Sequence, residues 1–429
     1  MRIVQILGFG LLLLTGCSPL STKKLNQTFR ETEAQFGDHT GFIIYDPAAK
    51  KVIYEYQADQ YFTPASNTKI LTLYTALTLL PDSLPGIKYI EKPDSLIFWG
   101  TGDPSFLSKF TYSNSRVYDF LAGAKAPVYF SPANFYTESL GPGWAWDDYN
   151  DNYSQERSPM PVYGNSFTVY SLANKVVVVP SFFKRYYKKG PSRERSEVVR
   201  EFASNNFVHY PGSRISTRQI TVPFRSDHAL VANLLSDTLR RNVTLINRKP
   251  EPLARTLYSV PADSVYKVMM QESDNHMAEQ LLLMCSGVLA DSLKPEIAIR
   301  YMKENYFRTF RSEPLWRDGS GLSRYNLFTP RFIVQVWEKI YERVPKERLF
   351  PLLATGGKAG TIKNWYKADK PFILGKTGTL SNNHSLSGFL VTQSGKTLIF
   401  CFMNGNYTVS TNDIRTNMQR VLYNFYENY

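Results

Sequence analysis

Helical and strand-like apolar spacings alternate along this chain, and their order is its first information. After an apolar run from Ile3 to Leu14, the polar and charged stretch Ser21–Asp38 reads as a tether or as containing a short first helix. "TGFIIYDPAAKKVIYEY" then places two β-rich runs around a Pro-containing turn, which predicts a hairpin. "PASNTKILTLYTALTLL", from Pro64, predicts a helix opened by Ser66 and apolar on all sides, hence buried. The pattern breaks near Pro81–Pro85. From about 88 to 256 the chain is rich in Gly, Pro and aromatics, with short strand-like runs such as "SLIFWG" and "ISTRQITVPF" and no repeat of fixed period. Helical spacing returns at Ser264, in "SVYKVMMQ" and "HMAEQLLLMCSGVLA" with "ESDN" between them, and again in "TPRFIVQVWEKIYERV". Three strands follow, "FILGKTGTL", "HSLSGFLVTQ" and "KTLIFCFMNG", with Ser394-Gly395 at the last turn, and then a final helix in "DIRTNMQRVLYNFYENY". The economical architecture is one α/β domain, residues 18–87 and 257–429, split by a β-rich insertion at 88–256. The length also favours more than one core.

The N-terminus changes where such a domain would work. Ile3–Leu14 is too short to span a bilayer, which takes about 20 residues. It fits the apolar region of a secretory signal instead. Leu14-Thr15-Gly16-Cys17 resembles a bacterial lipobox, which would make 1–17 a signal and Cys17 a lipidation site, with Ser18 favouring the outer membrane. The net charge of +13 has its densest stretch at Lys184–Arg200. In an exported protein that charge points away from nucleic acid and toward anionic lipid or wall polymer, unless it is simply a solvated face. Cys285 and Cys401 both sit in apolar runs and read as small buried hydrophobes, with a disulfide between them as the alternative. No His, Cys and acid spacing suggests a metal.

Three short motifs carry candidate chemistry. Ser66-Asn67-Thr68-Lys69 has S-x-x-K spacing, which puts both side chains on one helix face. A lysine in a dry pocket loses proton affinity and can act as a base toward the serine. The same spacing occurs at Ser21, Ser181 and Ser264, but only Ser66 opens a long apolar helix. A capping serine with a snorkelling lysine is the alternative. Ser273-Asp274-Asn275 lies in the break between two helical stretches, where it could face a cleft or cap the helix that starts near His276. Lys376-Thr377-Gly378-Thr379 occupies a strand-like run, and its glycine allows a ligand to approach the backbone.

In that order, the three motifs resemble the penicillin-binding protein and serine β-lactamase superfamily. More closely, the chain is similar to the D-alanyl-D-alanine carboxypeptidase/endopeptidase family of the penicillin-binding protein 4 type (peptidase family S13). "GTGDPSF", "GPGWAWDD", "ESDNHMAEQL", "DGSGLSRYNLFTP" and "GKTGTLSNNHSLSGFL" all resemble that family's blocks. The likeness runs from about Gly41 to Gly405, and the long gap between Ser66 and Ser273 fits a family with an inserted domain pair. The basic, aromatic stretch around Tyr186 has no counterpart, and "LLATGGKAGTIKNWY" is only loosely similar. The resemblance implies a transpeptidase-like fold, an antiparallel sheet flanked by helices, with no cofactor. It implies that Ser66 attacks the penultimate D-Ala carbonyl with Lys69 as base, Ser273 relays a proton to the leaving amine and Asn275 holds a substrate amide. Lys376 and Thr377 would face the terminal carboxylate, Gly378 would allow close approach, and the Ser66 and Thr379 N–H groups would form an oxyanion hole. Trp144 and Asp147 would meet the side chain of the stem's third residue. The implied partners are peptidoglycan stem peptides, β-lactams as inhibitors, and a membrane reached through the N-terminal lipid. Two rivals are a β-lactamase, for which the chain lacks a Glu-x-x-Leu-Asn stretch, and a non-catalytic wall-binding lipoprotein.

Overall fold

In the computed structural model the described residues are 21–110, 115–172, 175–213 and 218–429. The expected lipidation site Cys17 and the signal before it lie outside them. Among the described residues, no helix is long and apolar enough to cross a membrane.

A six-stranded antiparallel sheet joins the two ends of the chain. Its order is Ala354–Thr355, Ile373–Leu380, Asn383–Val391, Thr397–Gly405, His39–Asp46 and Lys51–Tyr56. The predicted hairpin is therefore a sheet edge, and its first strand pairs with the last strand of the chain, Ile43 opposite Cys401. Strand alternation sorts the side chains to two faces. Phe42, Ile44, Phe400 and Phe402 pack with the helices Thr22–Phe36 and Thr411–Asn428. Ile43, Cys401 and Met403 pack on the other face with the helices Lys69–Leu79, Ala262–Gln271, Asn275–Ala290 and Pro330–Arg343. Cys285 and Cys401 are both buried and unpaired with each other. The stretch after Ser21 is a full helix of 15 residues, with Ser21 as its N-cap.

The insertion has its own apolar core, centred on Phe98, Phe130, Phe167, Phe183 and Phe207. It contains a five-stranded mixed sheet and two three-stranded sheets, together with the helices Arg116–Ala122 and His228–Leu239, which the β-rich reading did not anticipate. The expected boundaries at 87/88 and 256/257 each fall inside a strand. Ser83–Lys92 and Arg255–Pro261 pair with each other, Ile87 opposite Leu257, so the chain enters and leaves the insertion as one hydrogen-bonded ribbon. Leu84 and Val260 belong to the main core while Ile87 belongs to the insertion's core. A cut at 87/88 would divide a continuous ladder.

Candidate active site

Ser66 sits in a single 3-10 turn, Ala65–Thr68, that runs straight into the helix Lys69–Leu79. The expected helix thus begins one turn tighter than an α-helix. Asn67 anchors the turn to the sheet: its Nδ2 donates to Ser385 Oγ at 2.6 Å and its Oδ1 accepts from Ser387 Oγ at 2.5 Å. Ala65 is left-handed, at φ +47°. Two glycines close around it. A Cβ on Gly321 would run into the Ala65 carbonyl, and one on Gly378 would run into the Pro64 carbonyl and stand 2.9 Å from the Ser66 nitrogen. The K-T-G strand therefore lies directly against the nucleophile's turn, and only a bare backbone fits there.

Lys69 is fully buried. Its Nζ lies 2.8 Å from Ser66 Oγ, 2.6 Å from Asn275 Oδ1 and 2.7 Å from the Ser320 carbonyl oxygen. The last two atoms can only accept. The Asn275 amide is oriented by its own Nδ2, which donates to the Tyr153 carbonyl at 2.9 Å. A neutral amine has two N–H bonds and one lone pair. With both N–H bonds committed to Asn275 and Ser320, the lone pair is left facing the Ser66 hydroxyl, as a general base requires. Burial makes that state accessible. It pulls the Lys69 pKa down to about 8, against the partly opposing charges of Asp318, Asp274 and Glu279.

Ser273 lies between the helices Ala262–Gln271 and Asn275–Ala290, and it is left-handed at φ +60°. The cap of the second helix is Asp274, whose Oδ1 accepts from Met277 N at 2.9 Å, so Ser273 is spared that duty. Instead Ser273 Oγ accepts from Lys376 Nζ at 2.7 Å. Lys376 is fully buried, and burial followed by the nearby Lys69 charge depresses its pKa well below the usual lysine range. Thr377 Oγ1 meets Thr361 Oγ1 at 2.7 Å, and Thr379 Oγ1 meets His384 Nδ1 at 2.8 Å. Ser273 and Asn275 also line a cavity of about 470 Å³ that reaches Tyr153 and, in the insertion, Thr168 and Thr221.

Six of the expected residues thus converge: Ser66, Lys69, Ser273, Asn275, Lys376 and Gly378. The other S-x-x-K serines do not join them. Ser21 caps an exposed helix end, Ser181 is exposed, and Ser264 is exposed and donates to the Pro261 carbonyl. Trp144 reaches the site through another residue, since its Nε1 donates to Asp318 Oδ2 at 2.9 Å. Asp147 is exposed and makes no hydrogen bond or ion pair among the described residues. Sequence reasoning did not single out Glu279, Asp318 or Ser320, which surround Lys69. A signal existed: Glu279 is an acid inside the apolar run "HMAEQLLLMC", and burying such a charge needs a reason. Among the described residues, no group of three or more His, Cys, Asp or Glu could hold a metal ion.

A buried amine on a serine, a serine–amide pair on the facing loop and a lysine-bearing strand closing the cleft define a serine acyl-enzyme of the penicillin-binding protein/β-lactamase type. The chain belongs to the D-Ala-D-Ala carboxypeptidase 3 (S13) family, whose model matches residues 21–425. Its class is therefore that of a serine-type D-Ala-D-Ala carboxypeptidase. It is similar to the D-alanyl-D-alanine carboxypeptidase DacB of Haemophilus influenzae, 24% identical over 90% of this chain and 88% of that one. The fold is shared with the crystal structure of penicillin-binding protein 4 (dacB) from H. influenzae, with a TM-score of 0.75 at 19% identity, covering 93% and 99% of the two chains. It is shared less closely with Bd3459, a predatory peptidoglycan endopeptidase from Bdellovibrio bacteriovorus, with a TM-score of 0.53 at 13% identity, covering 90% and 93%.

Proposed function

We propose that this chain removes the terminal D-Ala from peptidoglycan stem peptides through an acyl-enzyme on Ser66, and that the same site cleaves D,D-crosslinks between stems. The observation that carries this reading is the fully buried Lys69 Nζ at 2.8 Å from Ser66 Oγ, with its other two neighbours both acceptors. Lys69 takes the hydroxyl proton as Ser66 attacks the penultimate carbonyl. That proton then reaches the departing amine through the Ser273 hydroxyl, which is bonded to Lys376, so Lys69 is neutral again when the amine leaves. Lys376 and Thr377 receive the substrate's terminal carboxylate, and the N–H groups of Ser66 and Thr379 receive the oxyanion. Water then frees the acyl group. Endopeptidase action is supported by the Bdellovibrio neighbour of the same fold, described as a peptidoglycan endopeptidase. In this reading the chain is an exported lipoprotein, held at the periplasmic face of the outer membrane through Cys17. That assignment rests on the apolar run and the lipobox-like tetrad.

The test is intact-protein mass after mixing with benzylpenicillin, followed by hydrolysis of defined muropeptides. A durable adduct mapped to Ser66, with release of D-Ala, is expected. Rapid turnover of the drug would make the chain a β-lactamase, and absence of any adduct would make it a binding module.

A further inference from the structure

We propose that Glu279 is a positioning residue for acyl transfer: it fixes the Ser320 backbone so that the Ser320 carbonyl takes one N–H of Lys69. This deepens the acyl-enzyme reading and rests on it.

The argument begins with what the base needs. Lys69 can aim a lone pair at Ser66 only if its two N–H bonds have fixed acceptors elsewhere. One is Asn275 Oδ1. The other is the main-chain carbonyl of Ser320 in a loop, and a loop carbonyl is aimed only if the peptides on both sides of its residue are held. Glu279 Oε1 accepts the N–H of Ser320 at 2.7 Å. The same residue thus donates its N–H to Glu279 and offers its carbonyl to Lys69 at 2.7 Å. The loop around it is clipped as well: Asp318 accepts from Gly321 N and Ser323 N, and Thr72 Oγ1 donates to the Gly319 carbonyl at 2.6 Å. Asp318, through the Gly321 N–H, holds the peptide that carries the Ser320 carbonyl, while Glu279 and Thr72 grip the peptide before it from its two sides, so Glu279 fixes the direction in which the chain enters Ser320.

Glu279 is an expensive choice for that bond, since its side chain is fully buried. Its second oxygen, Oε2, accepts no hydrogen bond and lies 3.6 Å from Arg157 Nη1, a buried guanidinium brought by the insertion. Burial, and then the neighbouring Asp318 charge, push the Glu279 pKa up to about 7, with Arg157 opposing. A buried carboxylate with one unbonded oxygen destabilises a fold unless it has another role. A neutral acceptor would have satisfied the Ser320 N–H more cheaply. What only the acid adds is negative charge close to Lys69. The charged groups that act on Lys69 are Asp318, Asp274 and Glu279, and Lys376 feels Lys69 in turn. Glu279 therefore both fixes Ser320 on its N-terminal side, with Asp318 holding the carbonyl's own peptide, and helps keep Lys69 from losing its proton affinity altogether.

The experiment is pre-steady-state acylation of the full chain by benzylpenicillin, wild type against Glu279→Met and Glu279→Gln, across pH 6 to 9, with thermal melts of each. Glu279→Met removes both the acceptor and the charge. It should slow acylation at saturating drug by about 10²-fold, the usual scale for a misplaced catalytic group, with non-covalent affinity for the drug nearly unchanged. Glu279→Gln keeps an acceptor for Ser320. It should recover most of the lost rate, and its rising pH limb should move to lower pH because an anion near Lys69 is gone. Wild-type rates for the methionine variant would overturn the proposal. So would a glutamine variant as slow as the methionine one with an unmoved limb, which would make Glu279 only a tie to Arg157. Should the methionine variant fail to fold, the glutamine limb decides alone, and an unmoved limb overturns the proposal. Failure of the underlying reading looks different: wild-type protein would then form no Ser66 adduct at all.

Discussion

Acylation of Ser66 should follow the deprotonation of Lys69, and the structure sets where that happens. Burial lowers the Lys69 pKa from 10.5 to about 8. That difference corresponds to roughly 3 kcal/mol, an order-of-magnitude cost of keeping the ammonium out of water. It raises the neutral fraction at pH 7 from about one molecule in 3,000 to about one in 10. The first-order acylation rate at saturating penicillin should therefore climb roughly 50-fold from pH 6 to pH 8 and level off above about pH 9. Asp274→Asn sharpens the test. Asp274 caps a helix through Met277 N, and asparagine caps equally well, so the fold should tolerate the change. Its charge, however, raises the Lys69 pKa, so losing it must lower that pKa. The limb should shift to lower pH, and the variant should acylate faster than wild type near pH 7. Stopped-flow or quenched mass spectrometry reads both effects. A flat profile from pH 6 to 9, or a limb that moves to higher pH in Asp274→Asn, would refute Lys69 as the base.

Lys69→Met should abolish acylation while leaving stability near pH 7 close to or somewhat below wild type: it relieves roughly 3 kcal/mol of desolvation but leaves Asn275 Oδ1 and the Ser320 carbonyl without their donor, at about 1–3 kcal/mol each. The pH trend follows from a folded pKa lowered by burial. The desolvation penalty in wild type is fully present below about pH 8 and fades toward 10.5, so the melting temperature of the variant relative to wild type should fall as pH rises through that window. Gly378→Ala should lose acylation almost completely, because its Cβ would meet the Pro64 carbonyl and crowd the Ser66 nitrogen; wild-type penicillin binding by this variant would show that the strand does not close on the turn. Lys376→Ala should cut kcat/KM on D-Ala–D-Ala ends by a further one to two decades beyond its effect on a C-terminally amidated analogue, the worth of a charge-assisted contact at about 1.5–3 kcal/mol; equal losses on both would remove Lys376 from carboxylate binding. Asp147→Asn should lower kcat/KM only for stems with a free diamino-acid amine, and equal effects on the acetylated amine would make Asp147 structural.

How much of this was legible depended on whether the chemistry is local. The hairpin, the apolar helix after Ser66, the strands around K-T-G and the last helix were all readable, because each is a periodic run whose neighbours in sequence decide its fate. The helices Arg116–Ala122 and His228–Leu239 were not, because they lie among short aromatic strands that dominate the pattern around them. The ribbon at the insertion's edges was not legible for a related reason. Ser83–Lys92 is held by pairing with Arg255–Pro261, about 170 residues away in sequence, and nothing local marks that ladder. The site divides the same way. Ser66, Lys69, Ser273, Asn275 and Lys376 were legible through three motifs taken together in order and the family they resemble, since S-x-x-K by itself also occurs at Ser21, Ser181 and Ser264. Glu279, Asp318 and Ser320 act through a backbone carbonyl and backbone N–H groups, which any residue possesses, so their role exists only once the loop is folded against the helix.

The strained positions of the site tell the same story from the side of energetics. Ala65 and Ser273 are both left-handed without being glycine, one beside the nucleophile and the other the relay itself. Each such residue costs about 1–2 kcal/mol, so neither conformation persists unless its surroundings forbid relaxation. The surroundings do so. Glycine, which would have relieved the strain, stands instead on the opposing walls: Gly321 and Gly378 press bare backbone against the Ala65 turn, and a Cβ on either would break that contact. Asp274 and Lys376 brace Ser273 from both sides, the first as the helix cap beside it and the second by bonding its hydroxyl. The freedom is in the walls, and the strain is on the relay and on the residue before the nucleophile. That arrangement holds Ser66 against Lys69 before any substrate arrives, so little of the substrate's binding energy needs to go into assembling the site.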